Sequence, residues 1–130
     1  MVVINTTAKS KAKIQSVLEE GGGIAVLDFM KRHDPTSQLL DPFAEQLNAE
    51  HNIPLVKIDT EMAPDLLKEF PVDSIPSYAV VKENWNNVIH LMSCNDKEDV
   101  RKIFDTAIHN MGIDKWETWH CSCFTDLLWT

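Results

Sequence analysis

The sequence predicts one α/β domain of three layers: a mixed, four- to five-stranded sheet flanked by helices, followed by an aromatic-rich C-terminal tail. Three observations predict it. The continuous apolar run "GIAVLDF" at 23–29 has the composition of a strand buried on both faces. β-rich and helix-periodic segments alternate over the first seventy residues. Two β-rich runs, "SIPSYAVVK" and "NVIHLMS", then succeed one another across the turn "ENWNN", close enough for antiparallel pairing.

Each element has a local reason. A short β-rich start spans Val2 to Ile4, and Ile14, Val17 and Leu18 share one face of a helix that "GGG" at 21–23 ends. After the buried run, "HDPTSQLLDP" opens a second helix. Asp34 can accept from the free N–H groups as N-cap, and Pro35 suits the first helical position, where no N–H is needed. Leu40, Phe43, Ala44 and Leu47 supply the inward face, and Pro42 is expected to kink the helix. "IPLVKID" reads as a strand and "APDLLKEF" as a short helix between prolines. The last helix carries Val100, Ile103, Phe104, Ala107, Ile108 and Met111 at helical spacing, with Asp96 as N-cap and Gly112 as a stop. The order is β-α-β-α-β-α-β-β-α. The domain is expected to occupy residues 1–111, and residues 112–130 to form a tail that packs or binds a partner.

Composition narrows the function classes. With 130 residues and 44% apolar content, the chain can form one core and not two. A net charge of −8 repels phosphate backbones, so no direct nucleic-acid binding is expected. Lys9, Lys11 and Lys13 form the densest basic cluster, read as a solvated helix edge. No signal-peptide core or membrane-length apolar window is visible, and three cysteines suit a reducing compartment. The expectation is an intracellular protein, cytoplasmic or nuclear, without membrane contact.

Three landmarks together resemble the thioredoxin family: "VLDF" entering the corner at Asp34 to Ser37, Pro42 within the following helix, and "SIPS" before the hairpin. The resemblance covers roughly residues 1–111. It implies that Pro76 is a cis-proline facing the corner, that Asp28 matches a buried acid assisting proton transfer, and that the corner should hold a Cys-x-x-Cys pair. Here those two positions are Asp34 and Ser37, in "DPTS". Thiol–disulfide exchange needs an attacking thiolate and a resolving thiol, and a carboxylate and a hydroxyl supply neither. No catalytic residue is therefore expected at the corner, and Asp28 is expected to be a retained structural acid, bonded to water or backbone, whose burial could raise its pKa.

A narrower likeness exists to the Dim-type thioredoxin-like proteins of the spliceosome, which carry Asp-Pro-Thr at the same corner, here Asp34, Pro35 and Thr36. "IDTEMAPD" and "DKEDVRKIFDT" are also similar to stretches of that family. Pro76 and Asp28 look more like thioredoxin itself, the longer hairpin of the Dim-type proteins is missing, and the tail does not match. This likeness implies a role in pre-mRNA splicing particles.

Other chemistry has weaker support. "HCSC" places His120 beside Cys121 and Cys123, a spacing unlike that of usual zinc sites, and a metal there would need Cys94 or His90 as well. An atypical thiol oxidoreductase would draw on Cys94, Cys121 or Cys123. His33, Asp34 and Ser37 lack a nucleophile elbow or oxyanion loop, and His51, His90 and His109 are isolated. No metal or other cofactor is expected. The tail is marked by Trp116, Trp119, Phe124, Leu127, Leu128 and Trp129, and Trp85 in the hairpin turn is a further exposed-aromatic candidate. Each such side chain contributes about 1.5–3 kcal/mol when buried, so the tail either folds back or docks on a partner, a second copy included.

The reading is a non-catalytic adaptor or scaffold component that binds other proteins. Its expected partner groove comprises Asp34, Pro35, Thr36, Ser37, Ile75, Pro76, Ser93 and Cys94, where backbone groups near the proline can pair with an extended peptide. Trp116, Trp119, Phe124 and Trp129 are the expected tail docking residues, through which a homodimer could also form.

Overall fold

The computed structural model describes the backbone of residues 3–119 and the side chains of residues 3–111. Nine elements follow in the predicted order: β1 (Asn5–Thr7), α1 (Lys11–Glu20), β2 (Ile24–Met30), α2 (Pro35–His51), β3 (Leu55–Asp59), α3 (Pro64–Leu67), β4 (Ser77–Lys82), β5 (Val88–Ser93) and α4 (Lys97–Trp119). The five strands form one sheet in the order β1-β3-β2-β4-β5. β1, β3 and β2 run parallel, and β4 and β5 are antiparallel additions.

β2 is central, and all of its residues but Met30 are buried. Alternation along a strand sends its side chains to the two faces in turn. Ala25, Leu27 and Phe29 join Ile14, Val17, Leu18 and Leu66 in the core under α1 and α3. Ile24 and Val26 join Leu40, Ala44, Leu47, Val100, Ile103 and Phe104 under α2 and α4. Asp28 belongs by the same alternation to the α2–α4 side. That position puts a carboxyl group in an otherwise apolar stripe.

Two side-chain caps are present here, the expected one at Asp96 and a further one at Ser10. Ser10 accepts from Lys13 N–H at the start of α1, and Asp96 Oδ1 accepts from Asp99 N–H at 3.0 Å at the start of α4. α1 ends at Gly21, and Gly22 and Gly23 follow with φ of 86° and 90°, a conformation that glycine adopts without Cβ strain. Asn52 closes α2 in the left-handed region, and Asn48 Nδ2 donates to Ile4 O at 2.9 Å, tying α2 to the sheet's edge.

Three expectations are corrected. The first strand lies at Asn5–Thr7 rather than Val2 to Ile4, because its register is set by pairing with Leu55 to Lys57; Ile4 precedes the ladder, its carbonyl accepting from Leu55 N–H and Asn48 Nδ2 and its side chain packing on the core. Gly112 does not stop the last helix, which runs to Trp119. A helical glycine costs about 1 kcal/mol relative to alanine, and no proline follows it to end the run. Trp85 is half-buried rather than exposed: it packs edge-on to Phe70 with centroids 6.0 Å apart, and Lys11 lies over its ring. α2 runs unbroken through Pro42.

Candidate functional site

The corner after β2 is built by its own polar residues. Asp34 Oδ2 accepts from Ser37 N–H at 2.8 Å, and Pro35 takes the first helical position. Such a cap contributes about 1 kcal/mol. Ser37 is fully buried, and its Oγ accepts a long hydrogen bond of 3.4 Å from Lys31 N–H, back across the loop. The oxygen side chains at the two expected cysteine positions therefore both hold the corner together.

Strand ends place the rest of the cleft. Phe29 pairs with Ser77 and Ser77 with Ser93, so the end of β2, the start of β4 and the end of β5 share one edge of the sheet. Ile75–Pro76 is a cis peptide just before β4. Cys94 N–H donates to Pro76 O at 3.0 Å, and Ser74 Oγ to Ser93 Oγ at 2.7 Å, which joins the proline turn to the turn before α4.

Of the eight expected groove residues, Ser37, Pro76 and Cys94 are buried and form its floor. Ser37 is drawn in by the bond to Lys31, and Cys94 by packing under α4. Pro35 and Ser93 are exposed, and Asp34, Thr36 and Ile75 half-exposed, which leaves these five as the reachable rim. A recess of about 250 Å³ adjoins the corner at Arg32, Asp59 and Met62.

Beneath the corner lies an acidic cluster that sequence reasoning found only in part. Asp28 is fully buried, and burial raises its carboxyl well above the usual range, helped by the facing carboxylate of Asp41 and opposed by Lys57 and the Tyr78 hydroxyl. Both Asp28 oxygens, Asp41 Oδ1 and the Tyr78 hydroxyl lack a hydrogen bond of good geometry among the described residues. Among the described residues Asp28 has no backbone partner, and Lys57 makes its ion pair with Glu45. Burial, then the charges of Asp28 and Asp41, push the Tyr78 hydroxyl upward too. Asp41 was legible in principle, since it lies three residues before buried Ala44 on the inward stripe of α2.

Cys94 is a buried free thiol, pushed up to about 12 by burial, then by the negative charges of Asp99 and Asp28. At neutral pH it is a protonated thiol and a poor nucleophile. His33, His51, His90 and His109 are exposed. Among the described residues no group of three or more His, Cys, Asp or Glu side chains comes together to hold a metal, and no helix is long and apolar enough to cross a membrane. Cys121, Cys123, His120, Phe124 and Trp129 lie outside the described residues, as do the side chains of Trp116 and Trp119.

Comparisons with solved structures agree with this architecture. The chain is similar to thioredoxin f from spinach chloroplast, with 19% identity over 82% of this chain and 97% of that one and a TM-score of 0.69. Thioredoxin of Fasciola hepatica gives 16% identity over 78% and 98%, with a TM-score of 0.70. Thioredoxin of Plasmodium falciparum gives 14% identity over 78% and 97%, with a TM-score of 0.68. No protein-family model and no curated protein matches the sequence. The chain has the thioredoxin-like fold, and at these identities the likeness extends to the fold alone.

Proposed function

We propose that this protein is a redox-inactive thioredoxin-fold adaptor that binds an extended segment of another protein in the cleft between the corner, the Ile75–Pro76 turn and Ser93. The observation carrying this reading is that Asp34 and Ser37, where the fold would place its thiols, are engaged in capping and loop closure. A cleft at the ends of adjacent strands, with two backbone turns at its mouth, is suited to peptide recognition without chemistry. The protein acts inside the cell, cytoplasmic or nuclear, through protein partners, without direct contact to nucleic acid; self-association through Trp116, Trp119, Phe124 and Trp129 is part of the same reading.

Thr36→Arg, at the half-exposed rim, is expected to weaken capture of native partners about tenfold or more while the melting temperature stays unchanged. Affinity purification with quantitative mass spectrometry reads this directly, and partners retained equally by both proteins would remove the cleft from the reading. Pro76 is unsuited to such a test because it is buried. In an insulin-reduction assay the wild-type chain is expected to show no turnover. Turnover abolished by Cys121→Ser or Cys123→Ser would replace the adaptor with an oxidoreductase.

A second reading is favoured by Asp34, Pro35 and Thr36, the stretch shared with Dim-type proteins: membership of a pre-mRNA splicing particle. Nuclear location and co-purification with splicing particles support it, and a cytoplasmic protein without such associates ends it.

A further inference from the structure

The seam between α2 and α4 carries a second surface, distinct from the cleft. Leu39 and Phe43 lie one helical turn apart on α2, and Lys97 and Arg101 one turn apart on α4. Both cations sit over the Phe43 ring, Arg101 Cζ at 5.2 Å and Lys97 Nζ at 5.6 Å from its centroid. Among the described residues neither is ion-paired to a carboxylate. Leu39, beside them and one turn nearer the cleft, is 61% exposed. Its neighbours along that side of α2, Pro42 and Gln46, are exposed and uncharged.

Stacking on a ring holds a cation in place while leaving its N–H donors free at the rim, where a carboxylate can meet them. In a chain of net charge −8, this seam sets two cations without an ion-pair partner among the described residues against an aromatic ring and an exposed leucine. Two cations are too few for a phosphate backbone, whose binding rests on many such contacts. Two apolar side chains beside them select a ligand that is both acidic and apolar.

We propose that Leu39, Phe43, Lys97 and Arg101 form a docking site for an acidic, leucine-bearing segment of a partner protein, its carboxylates on the two cations and its aliphatic side chain on Leu39 and the Phe43 edge. The site functions whether or not the cleft binds a peptide.

The test is fluorescence anisotropy of the full chain with a labelled peptide of repeated Asp-Leu-Leu units, and with a Lys-Leu-Leu control. Saturable binding of the acidic peptide alone is expected, weakened by added salt. The double charge reversal Lys97→Glu, Arg101→Glu is expected to weaken it about tenfold or more, and Leu39→Ser about tenfold. Arg101→Ala, a milder change at the same position, weakens it in the same direction, and all of these exposed positions should keep the wild-type melting temperature. Thr36→Gln, which adds bulk at the cleft rim without charge, leaves this binding unchanged, which separates the site from the cleft. Equal affinity after charge reversal, binding of the Lys-Leu-Leu peptide, loss of binding on Thr36→Gln, self-association of the chain that blocks the site against peptide, or preference for anionic lipid vesicles over the peptide would each overturn the proposal.

Discussion

Asp28→Asn is expected to stabilise the fold at neutral pH by about 2 kcal/mol or more and to leave it nearly unchanged near pH 4. The sign follows from the direction of the shift. Burial, together with Asp41, raises the Asp28 carboxyl in the folded chain well above its unfolded value. Between those two values the folded state holds a proton that the unfolded state has released. Stability is therefore fully present below the ordinary carboxylate range, and it falls by up to about 1.4 kcal/mol per pH unit as pH rises toward the raised value. Asparagine removes this dependence because it carries no proton to lose. Its amide can also donate toward Asp41, whose Oδ1 lacks a partner among the described residues. Urea unfolding of both proteins at pH 4, 5.5 and 7 measures the effect. A variant less stable than the wild type at pH 7 would show that the carboxylate is paired and charged in the folded state.

The same burial extends to alkaline conditions. Cys94, pushed up to about 12, keeps its proton in the folded chain after an unfolded thiol has begun to lose it. Above the ordinary thiol range this adds a further fall in stability, which Asp28→Asn lessens only through Asp28's charge near Cys94, itself a smaller influence than burial and Asp99. Burial thus disfavours the charged forms of Asp28, Tyr78 and Cys94 together on one side of the sheet, between β2, β4 and the two long helices.

What the sequence disclosed and what it withheld divide along physical lines. Buried periodicity is local, so the β2 run, the inward faces of α1, α2 and α4, and the caps at Asp34 and Asp96 could be read from neighbours in the chain. Capping too is a short-range interaction, spanning three residues from Asp34 to Ser37. The misplaced elements depend on partners far away in sequence. The edge strand takes its register from Leu55 to Lys57, some fifty residues on, and Trp85 is covered by Phe70 and Lys11, which only the folded chain brings near. The cleft shows the same division: its residues were identifiable from order and spacing, whereas burial of Ser37, Pro76 and Cys94 depends on how α2 and α4 close over the sheet edge. The pairing of Phe43 with Lys97 and Arg101 is long-range as well, which is why the cationic seam did not announce itself, whereas Asp41, three residues before Ala44 on α2, was open to the same local argument as the helix faces.

Asp34→Cys combined with Ser37→Cys is expected to confer insulin-reducing activity, with dithiothreitol as electron donor, above that of the wild-type chain, for which none is expected. The corner already supplies what such a pair needs besides sulfur. Position 34 stands at the N-cap of α2, where unpaired backbone N–H groups and the helix dipole stabilise a thiolate and lower its pKa. Position 37 lies three residues on, its side chain turned inward toward the loop that position 34 ends. The lost cap costs about 1 kcal/mol, and the short-loop disulfide offsets part of it in the oxidised form. Mass spectrometry of the oxidised variant should find residues 34 and 37 bridged, and reduction should regenerate two titratable thiols beyond those of the wild type. The single variants test the mechanism, since either cysteine alone lacks the partner that attacks or resolves the mixed disulfide and should remain inactive. If the double variant forms the bridge yet reduces nothing, the defect lies in the cleft's fit to a disulfide substrate rather than in missing sulfur. If it forms no bridge, the corner has departed further from the thioredoxin geometry than its backbone indicates. Activity in the double variant alone, with none in the wild type or the single variants, would assign the difference to the exchange of sulfur for oxygen at positions 34 and 37.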